Sequence, residues 1–324
     1  MGTGLVLGAG GAVGHAYHTG TLAALAEATG WDPRTADIVV GTSAGSVVGA
    51  LLRAGLAPAD LYARSTGTEL SPEGALLLGR SVAPSPLPRP DRPPTLRRLQ
   101  PSSRALLRLV RQPWSVTPGS LAAAFLPPGE VPGDAIGARI RSMYDRPWPE
   151  QPFWACVVRQ GDGARVVLGR DPEPATDVGT AVQASSAIPS WFQPVEIDGE
   201  HYVDGGAFSP TNADVLAGAA LDLVVIVSPM SSSRTATARL AADAPVRAVY
   251  RARLAREVAA VRRRGTGVVT FQPSGEDLAV MGGAASAMDY QRHGPVARRA
   301  RETALRRLSD RRILNVLEAG LPPG

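Results

Sequence analysis

The sequence predicts an α/β protein with a mostly parallel central sheet and crossover helices, and two consecutive strand–turn–helix units are the basis of this prediction. In the first unit, the apolar run 5–7 ends in the glycine cluster 8–14, and an alanine-rich stretch over 16–28 follows. In the second, the β-branched run 37–40 ends in the turn 41–45 before another helical pattern. Such repetition is typical of parallel sheets, whose strands end at one edge. Functional residues are therefore expected in the loops at that edge.

Later parts of the chain continue this pattern of short apolar runs and small-residue helices. The continuous apolar run 221–227 is typical of a strand buried on both faces. Further strands are predicted over 153–158, 164–168, 193–197 and 268–271, and helices over 176–187 and 295–319. The chain is interpreted as one domain over residues 1–324, with a core of about 4–230 and a C-terminal helical region of about 275–320.

A proline- and arginine-rich insertion interrupts the pattern over about 67–133. A regular sheet does not accommodate its closely spaced prolines. One short helix is predicted, over 102–111, with Arg104, Arg108 and Arg111 on one side and leucines on the other. We expect the insertion to cap the edge that carries the site. Its arginine face either meets anionic lipid headgroups or is an ordinary solvated face, and both interpretations stay open.

The composition is that of an ordinary soluble globular chain. Of its 324 residues, 44% are hydrophobic and 19% are charged, and no apolar run is long enough to cross a bilayer. Residues 1–7 have no basic region ahead of an apolar one, so no cleaved secretory signal is expected. Cys156 is the single cysteine and has no partner for an internal disulfide. We therefore expect a cytoplasmic protein that can contact membranes peripherally.

The net charge of +5 comes entirely from arginine, because the sequence contains no lysine. A basic surface can favour anionic lipid or nucleic acid. The arginines are spread along the chain, so the charge does not predict nucleic-acid binding. The oligomeric state is left open.

The turn Gly41-Thr42-Ser43-Ala44-Gly45 fits the pattern G-x-S-x-G between a strand and a helix. A serine in this context sits on a sharp turn at the sheet edge, and the flanking glycines allow close packing. The free N–H groups and positive dipole end of the following helix lie near its oxygen. This pattern predicts a nucleophile at Ser43. The alternative is that Ser43 only caps the helix, which serine does well.

A nucleophilic serine needs a base, because a free hydroxyl reacts weakly near neutral pH. Asp204, followed by Gly205 and Gly206, is one candidate, since the glycines let this turn approach another loop closely. The usual hydrolase order of serine, acid and histidine instead leaves His201 or His293. An Asp-Gly turn without catalytic function is a further alternative.

The first glycine loop resembles a dinucleotide-binding fingerprint but departs from it in two respects. Position 13 is valine, so Gly8, Gly10 and Gly14 are spaced one residue too long, and the acidic residue expected after the second strand is missing. Such a loop can instead hold the oxyanion of a tetrahedral intermediate through its N–H groups. A nucleotide-binding oxidoreductase is the less favoured alternative.

Three motifs in this order resemble the patatin-like phospholipase family, over about residues 5–227. They are the loop Gly10-Gly11-Ala12-Val13-Gly14, the turn Gly41-Thr42-Ser43-Ala44-Gly45 and Asp204-Gly205-Gly206. The segment Ala184-Ser185-Ser186-Ala187-Ile188-Pro189 and the following Phe192-Gln193-Pro194-Val195 are similar to the segment that precedes the Asp-Gly turn in this family. Val13 stands where the family commonly has arginine or lysine.

The resemblance implies a three-layer α/β/α fold and a serine–aspartate dyad without histidine. By position, Ser43 is the nucleophile, Asp204 the base, and Gly10, Gly11 and Ala12 the oxyanion donors. The family cleaves acyl esters of phospholipids and other lipids without a metal or organic cofactor. Phospholipase A, lysophospholipase and general esterase activities stay open, as does a lipid-binding protein without turnover. The motif glycines are Gly14, Gly41, Gly45, Gly205 and Gly206.

Overall fold

Eight strands form one sheet in the computed structural model, which describes residues 1–81, 102–233, 243–283 and 286–321. The strands are β1 (Thr3–Leu7), β2 (Ile38–Gly41), β3 (Phe153–Arg159), β4 (Ala164–Leu168), β5 (Val195–Ile197), β6 (Glu200–Asp204), β7 (Leu223–Val227) and β8 (Gly267–Phe271). Their order is β5-β6-β3-β2-β1-β7-β8, and β4 pairs with β3.

The centre of the sheet is parallel and its β5–β6 end is antiparallel. β1 runs parallel to β2 and β7, and β2–β3 and β7–β8 are parallel as well. β3 pairs antiparallel with β4 and β6, and β5 with β6. The side chains of β1 and β7 are buried along their whole length, as expected for strands that are covered on both faces.

The described residues form twelve α-helices around this sheet. They are α1 (Gly11–Thr29), α2 (Ala44–Arg53), α3 (Pro58–Thr66), α4 (Pro72–Gly79), α5 (Ser103–Arg111), α6 (Pro118–Phe125), α7 (Asp134–Arg141), α8 (Val178–Ser185), α9 (Ala244–Arg262), α10 (Gly275–Met281), α11 (His293–Leu308) and α12 (Arg311–Gly320).

Helices cover both faces of the sheet. On one face, Leu5 and Leu7 of β1 pack in a large apolar cluster with residues of α1, α2, α8 and α11. On the other face, Val6 of β1 packs in a second cluster with Leu254 and Val261 of α9. The predicted three-layer α/β/α arrangement with a mostly parallel sheet is therefore confirmed.

The insertion predicted over 67–133 is more helical than the sequence indicated. Its described part contains α4, α5 and α6, whereas only the helix over 102–111 was predicted. Pro72 and Pro118 each begin a helix at its first position, where the missing N–H group would be unpaired in any case. Pro118 was among the closely spaced prolines that argued against a regular sheet, and the structure shows that it marks a helix start. Residues 82–101, with prolines 84, 86, 88, 90, 93 and 94, lie outside the described residues.

Among the other elements that were not predicted are β6 and α9. β6 precedes the Asp-Gly turn, where the sequence analysis identified only the turn. The long helix α9 carries arginines on much of its surface and few buried residues, so it lacks a clear apolar periodicity. Over the described ranges, we find no helix with the length and apolar character that a bilayer crossing requires.

Candidate active site

Ser43 lies on a sharp turn between the end of β2 and the start of α2. Its backbone has a φ of 55° and a ψ of −124°, which is uncommon for a residue with a side chain. The flanking glycines allow this turn: a Cβ on Gly41 would lie 2.4 Å from the Ser46 Cα, and one on Gly45 would lie 2.0 Å from the Leu7 carbonyl oxygen. The Ser43 side chain makes no capping hydrogen bond to α2. The geometry therefore does not support a role limited to capping.

Ser185, at the end of α8, fixes the backbone of this turn. The Ser43 N–H donates to the Ser185 Oγ at 3.0 Å, and that hydroxyl donates to the Cys156 carbonyl oxygen at 2.8 Å. The hydroxyl thus joins the turn to β3, the strand beside β2. In the sequence, Ser185 stood out only as part of the segment that is similar to the patatin-like family. Its contact with Ser43 joins distant parts of the chain and leaves no local signal.

Asp204 ends β6 at the same edge of the sheet. β6 runs antiparallel to β3 and places Asp204 opposite Val157, so the chain returns to the level at which β2 ends. The Asp204 Oδ1 accepts a hydrogen bond from the Gly206 N–H at 2.7 Å. The Ser43 hydroxyl lies near this carboxyl and lowers its pKa. The structure brings together the two residues that the sequence singled out from distant positions.

Burial governs the ionisation of Asp204. Only 5% of this residue is exposed, and burial raises the pKa of its carboxyl from 3.8 to about 6. The nearby Ser43 hydroxyl and the hydrogen bond from the Gly206 N–H act in the opposite direction and lower this pKa. The carboxylate form is consequently present at neutral pH, with more basic character than an exposed aspartate.

Close packing holds the Asp204 turn against the neighbouring strands. A Cβ on Gly205 would lie 2.3 Å from the Cys156 carbonyl oxygen, so only glycine suits this position. Asn212 links the turn to the serine loop, because its Nδ2 donates to the Thr42 Oγ1 at 3.1 Å and contacts the Gly205 carbonyl oxygen at 3.4 Å. Asn212 was not identified from the sequence.

The glycine loop after β1 presents free N–H groups at the start of α1. The N–H groups of Gly10, Gly11 and Ala12 have no acceptor among the described residues, whereas the Val13 N–H donates to the Ala287 carbonyl oxygen at 3.2 Å and the Gly14 N–H to the Gly10 carbonyl oxygen at 2.9 Å. Gly11 has a φ of 61°, which favours glycine. Three adjacent donors at a helix N-terminus can bind a developing oxyanion.

Val13 and Gly14, the other predicted residues of this loop, have packing roles. A Cβ on Gly10 would lie 2.7 Å from the Gly14 Cα, so the two glycines allow the loop to fold onto the first turn of α1. Val13 is buried in the large apolar cluster. Its side chain therefore brings no charge to the site.

A cavity of about 760 Å³ opens beside Ser43 and the loop residues Gly11 and Ala12. One part of its wall is apolar, which suits an acyl chain. The apolar lining comprises Ala44, Val47, Ala135, Ile136, Ile140, Ile188, Trp191, Phe192 and Met288. The polar lining includes Arg64, Arg139, His15, His293 and Tyr290. The sequence had indicated His293 only as an alternative base, and it did not indicate Arg64, Arg139, His15 or Tyr290 as part of the site.

The histidines are arranged differently from a catalytic triad. His201 is exposed on β6. His293 lines the cavity, where its ring stacks on that of His15 with 5.5 Å between ring centroids. His18 contacts the Gly8 carbonyl oxygen at 2.7 Å. In the described structure, no hydrogen bond joins Ser43 to any of these rings. Burial lowers the pKa of His293 and of His15, so both are neutral near pH 7.

The described ranges contain no group of three or more histidine, cysteine, aspartate or glutamate side chains that could hold a metal ion.

Comparison with known proteins identifies the family. The model of the patatin-like phospholipase family matches residues 5–217, and no curated protein matches the chain. Among solved structures, the chain is similar to VipD from Legionella pneumophila, at 12% identity and a TM-score of 0.41, over 95% of this chain and 66% of that one. It is also similar to the type III effector protein ExoU, at 18% identity and a TM-score of 0.38, over 96% of this chain and 53% of that one. With the family model matched from β1 through the Asp204 turn, the chain belongs to the patatin-like phospholipase family.

Proposed function

We propose that the protein is a serine acyl hydrolase that cleaves lipid esters, with Ser43 as nucleophile and Asp204 as base. One observation carries the proposal. The hydroxyl of Ser43, held on a strained turn at a largely apolar cavity, lies close enough to a buried carboxylate to lower its pKa. Membership of a phospholipase family supports lipid ester hydrolysis.

In the first half of the reaction, the Ser43 Oγ attacks the carbonyl carbon of the ester and Asp204 accepts the hydroxyl proton. The carbonyl oxygen becomes an oxyanion, to which the N–H groups of Gly10, Gly11 and Ala12 donate. Such donors typically contribute about a hundredfold or more each to the rate. When the intermediate collapses, the alcohol leaves with the proton from Asp204, and an acyl-enzyme on Ser43 is formed.

In the second half, water replaces the leaving alcohol. Asp204 accepts a proton from this water, whose oxygen attacks the acyl carbon. The same N–H groups bind the second oxyanion. The carboxylic acid then leaves Ser43, which recovers its proton from Asp204, so the enzyme returns to its starting state.

Asp204 suits the role of base because burial raises its pKa to about 6. Proton transfer is most effective when the base is ionised at the working pH and has a pKa close to it. An exposed aspartate, with a pKa near 3.8, would be a much weaker base. No histidine is needed to relay the proton, because the carboxyl lies beside the Ser43 hydroxyl.

The cavity favours an ester with a long apolar acyl chain. Its apolar lining can bury such a chain while the carbonyl lies at Ser43, and burial contributes about 0.8 kcal/mol for each methylene. Phospholipase A and lysophospholipase reactions both meet this description.

The test combines covalent labelling with turnover. Wild-type protein, Ser43→Ala and Asp204→Asn are treated with a fluorophosphonate probe and assayed on p-nitrophenyl esters of short and long chains. Ser309→Ala and Asp310→Asn are matched controls, because both residues are exposed at the junction of α11 and α12. We expect wild-type protein and the controls to label and turn over, and both site variants to lose at least about a hundredfold in kcat/KM. An unlabelled, inactive wild type would contradict the proposal and favour a lipid-binding protein without turnover.

We further propose that α5 contacts membranes peripherally, through a different face from the one expected. The arginine side of α5 was expected to meet the membrane. In the structure, Arg104 instead pairs with Glu200 and Arg108 with Asp162. These carboxylates draw the arginine side of α5 toward the protein body. The outer side is apolar and includes Val110, which is 80% exposed. Leu106, Leu107 and Trp114 are exposed beside it.

An amphipathic helix whose exposed side is apolar is suited to the interface of a bilayer. Sedimentation with anionic and zwitterionic liposomes compares wild-type protein with a Val110→Asp, Trp114→Ala variant and with an Arg104→Ala, Arg108→Ala, Arg111→Ala variant. We expect the first variant to lose most binding and the second to keep most of it. The reverse order would restore the arginine face as the contact, and equal binding by all three would exclude α5.

A further inference from the structure

Two arginines line the cavity that contains Ser43, and neither forms an ion pair with a described residue. Arg64 comes from α3 and Arg139 from α7. Arg64 makes no hydrogen bond within the described structure, and its Nη1 is buried without a partner. Arg139 donates from its Nε to the Ser81 Oγ at 3.2 Å. Both side chains thus keep most of their hydrogen-bonding capacity.

This arrangement is costly without an anion. A buried guanidinium cannot discard its proton at neutral pH, so it is stabilised by a paired anion or by hydrogen bonds. Burial, and secondarily the charge of Arg139, lowers the pKa of Arg64 to about 10. Burial also lowers the pKa of Arg139. Both groups stay positively charged near pH 7 and repel each other.

The other groups that face the cavity do not neutralise this charge. His15 and His293 are neutral near pH 7, because burial lowers their pKa values. The carboxylate of Asp289 lines the cavity as well. It already accepts from the Gln291 N–H at 3.0 Å and pairs with Arg292 at 3.1 Å. The lining of the cavity therefore combines an excess of positive charge with apolar side chains.

We propose that Arg64 and Arg139 form an anion subsite that binds the phosphodiester of a glycerophospholipid while its acyl ester lies at Ser43. The inference rests on the proposed acyl hydrolase function and adds two residues that select an ester with a phosphate group. A phosphodiester carries one negative charge and several acceptor oxygens, which match two guanidinium groups. An amphiphile of this kind matches both kinds of lining residue, since its chain can pack on apolar side chains such as Val47 and Ile140 while its phosphate meets the arginines.

The first test compares two esters with the same acyl chain, of which only one carries a phosphocholine group. A lysophosphatidylcholine and the monoacylglycerol with the same acyl chain are assayed below their critical micelle concentrations with wild-type protein, Arg64→Gln and Arg139→Gln. Arg146→Gln is the control, because this arginine is exposed and pairs only with Glu150 at the surface. We expect each cavity variant to lose about 10- to 100-fold in kcat/KM on the phosphate-bearing ester, the range of a charge-assisted hydrogen bond.

On the monoacylglycerol, we expect less than about a threefold change, since it lacks the anion. Arg64→Lys keeps the charge, so it should recover part of the preference for phosphate and show that the loss in Arg64→Gln is not a folding defect. Equal losses on the two esters, or no loss on either, would overturn the subsite.

A binding measurement separates this inference from the proposed function. Ser43→Ala is titrated by calorimetry with dodecylphosphocholine, which has the phosphodiester and no acyl ester, and with dodecyl maltoside as a neutral control. If wild-type protein hydrolyses no ester, the acyl hydrolase proposal fails, yet weaker binding of dodecylphosphocholine after Arg64→Gln still supports the subsite. Binding that is unaffected by Arg64→Gln overturns it. The protein could also bind inorganic phosphate through these arginines and fail to bind dodecylphosphocholine. That result would overturn the assignment of the subsite to a lipid headgroup.

Discussion

Replacing Asp204 by asparagine is expected to stabilise the protein near pH 8 while abolishing its activity. Burial raises the pKa of Asp204 from 3.8 to about 6. At about 1.36 kcal/mol for each pH unit, ionising this carboxyl costs about 3 kcal/mol more in the folded protein than in the unfolded chain. Asparagine has a similar shape and no charge, so the variant avoids this cost and can still accept the Gly206 N–H.

The sign of the pH dependence follows from the raised pKa. The folded protein holds the Asp204 proton more tightly than the unfolded chain does. The stability from this proton is fully present below pH 3.8 and is lost as the pH rises through about 6. Between about pH 5 and about pH 8, wild-type protein is expected to lose about 1.4 kcal/mol of unfolding free energy from this group, and Asp204→Asn none.

Urea unfolding followed by tryptophan fluorescence at about pH 5 and about pH 8 measures this difference. At each pH, the unfolding free energy of wild-type protein is subtracted from that of Asp204→Asn. This difference cancels the contribution of all other titrating groups. Asp310→Asn is the control, because Asp310 is an exposed helix cap at the start of α12 and asparagine caps about as well. If Asp204→Asn is less stable than wild type near pH 8, or if its advantage does not shrink near pH 5, burial does not raise this pKa and the argument for Asp204 as base fails.

Three further predictions concern the same loops. The kcat/KM of wild-type protein on a soluble ester should rise with pH through an apparent pKa near 6, because Asp204 must be ionised to accept the proton. Gly45→Ala should cost about 3 kcal/mol or more of unfolding free energy, since its Cβ would lie 2.0 Å from the Leu7 carbonyl oxygen. Ser185→Ala should cost about 1–3 kcal/mol and lower kcat, because the Ser43 N–H loses its acceptor.

Each of these three predictions has a control or an outcome that would contradict it. A rate that is flat from about pH 5 to about pH 8 would remove Asp204 as the titrating base. Gly79→Ala is the control for Gly45, because no atom lies within 4 Å of the added Cβ, and it should change the stability by less than about 1 kcal/mol. Unchanged kcat in Ser185→Ala would show that this hydroxyl does not position the turn of Ser43.

The serine and glycine loops could be predicted from sequence because their signals are local. A β-branched strand, a glycine-flanked serine and a helical pattern follow one another within 37–54, and that order requires a strand–turn–helix unit. Asp204 was found by its glycine turn, although its strand β6 was missed. The contact between the two loops depends on β6 returning antiparallel to β3, which no local pattern records.

The supporting residues could not be predicted for the same physical reason. Ser185 and Asn212 contact the serine loop across long stretches of chain, and each looks like an ordinary polar residue in its own segment. Arg64 and Arg139 lie on α3 and α7, short helices that reach the cavity only in the folded protein. With arginine so frequent and spread along the sequence, nothing marked these two as different from the solvated ones.

Three energetically unfavourable features meet around one cavity, and together they indicate a functional origin better than any of them alone. Ser43 has a positive φ without making a cap hydrogen bond, Asp204 is ionised in a buried position, and Arg64 is charged without an anionic partner. Each costs of order 1–3 kcal/mol. A site that only stabilised the fold would replace them with a capping serine, a neutral side chain and an ion pair. Their persistence at a single cavity is explained if a substrate with an ester carbonyl and a negative charge relieves the unsatisfied groups when it binds.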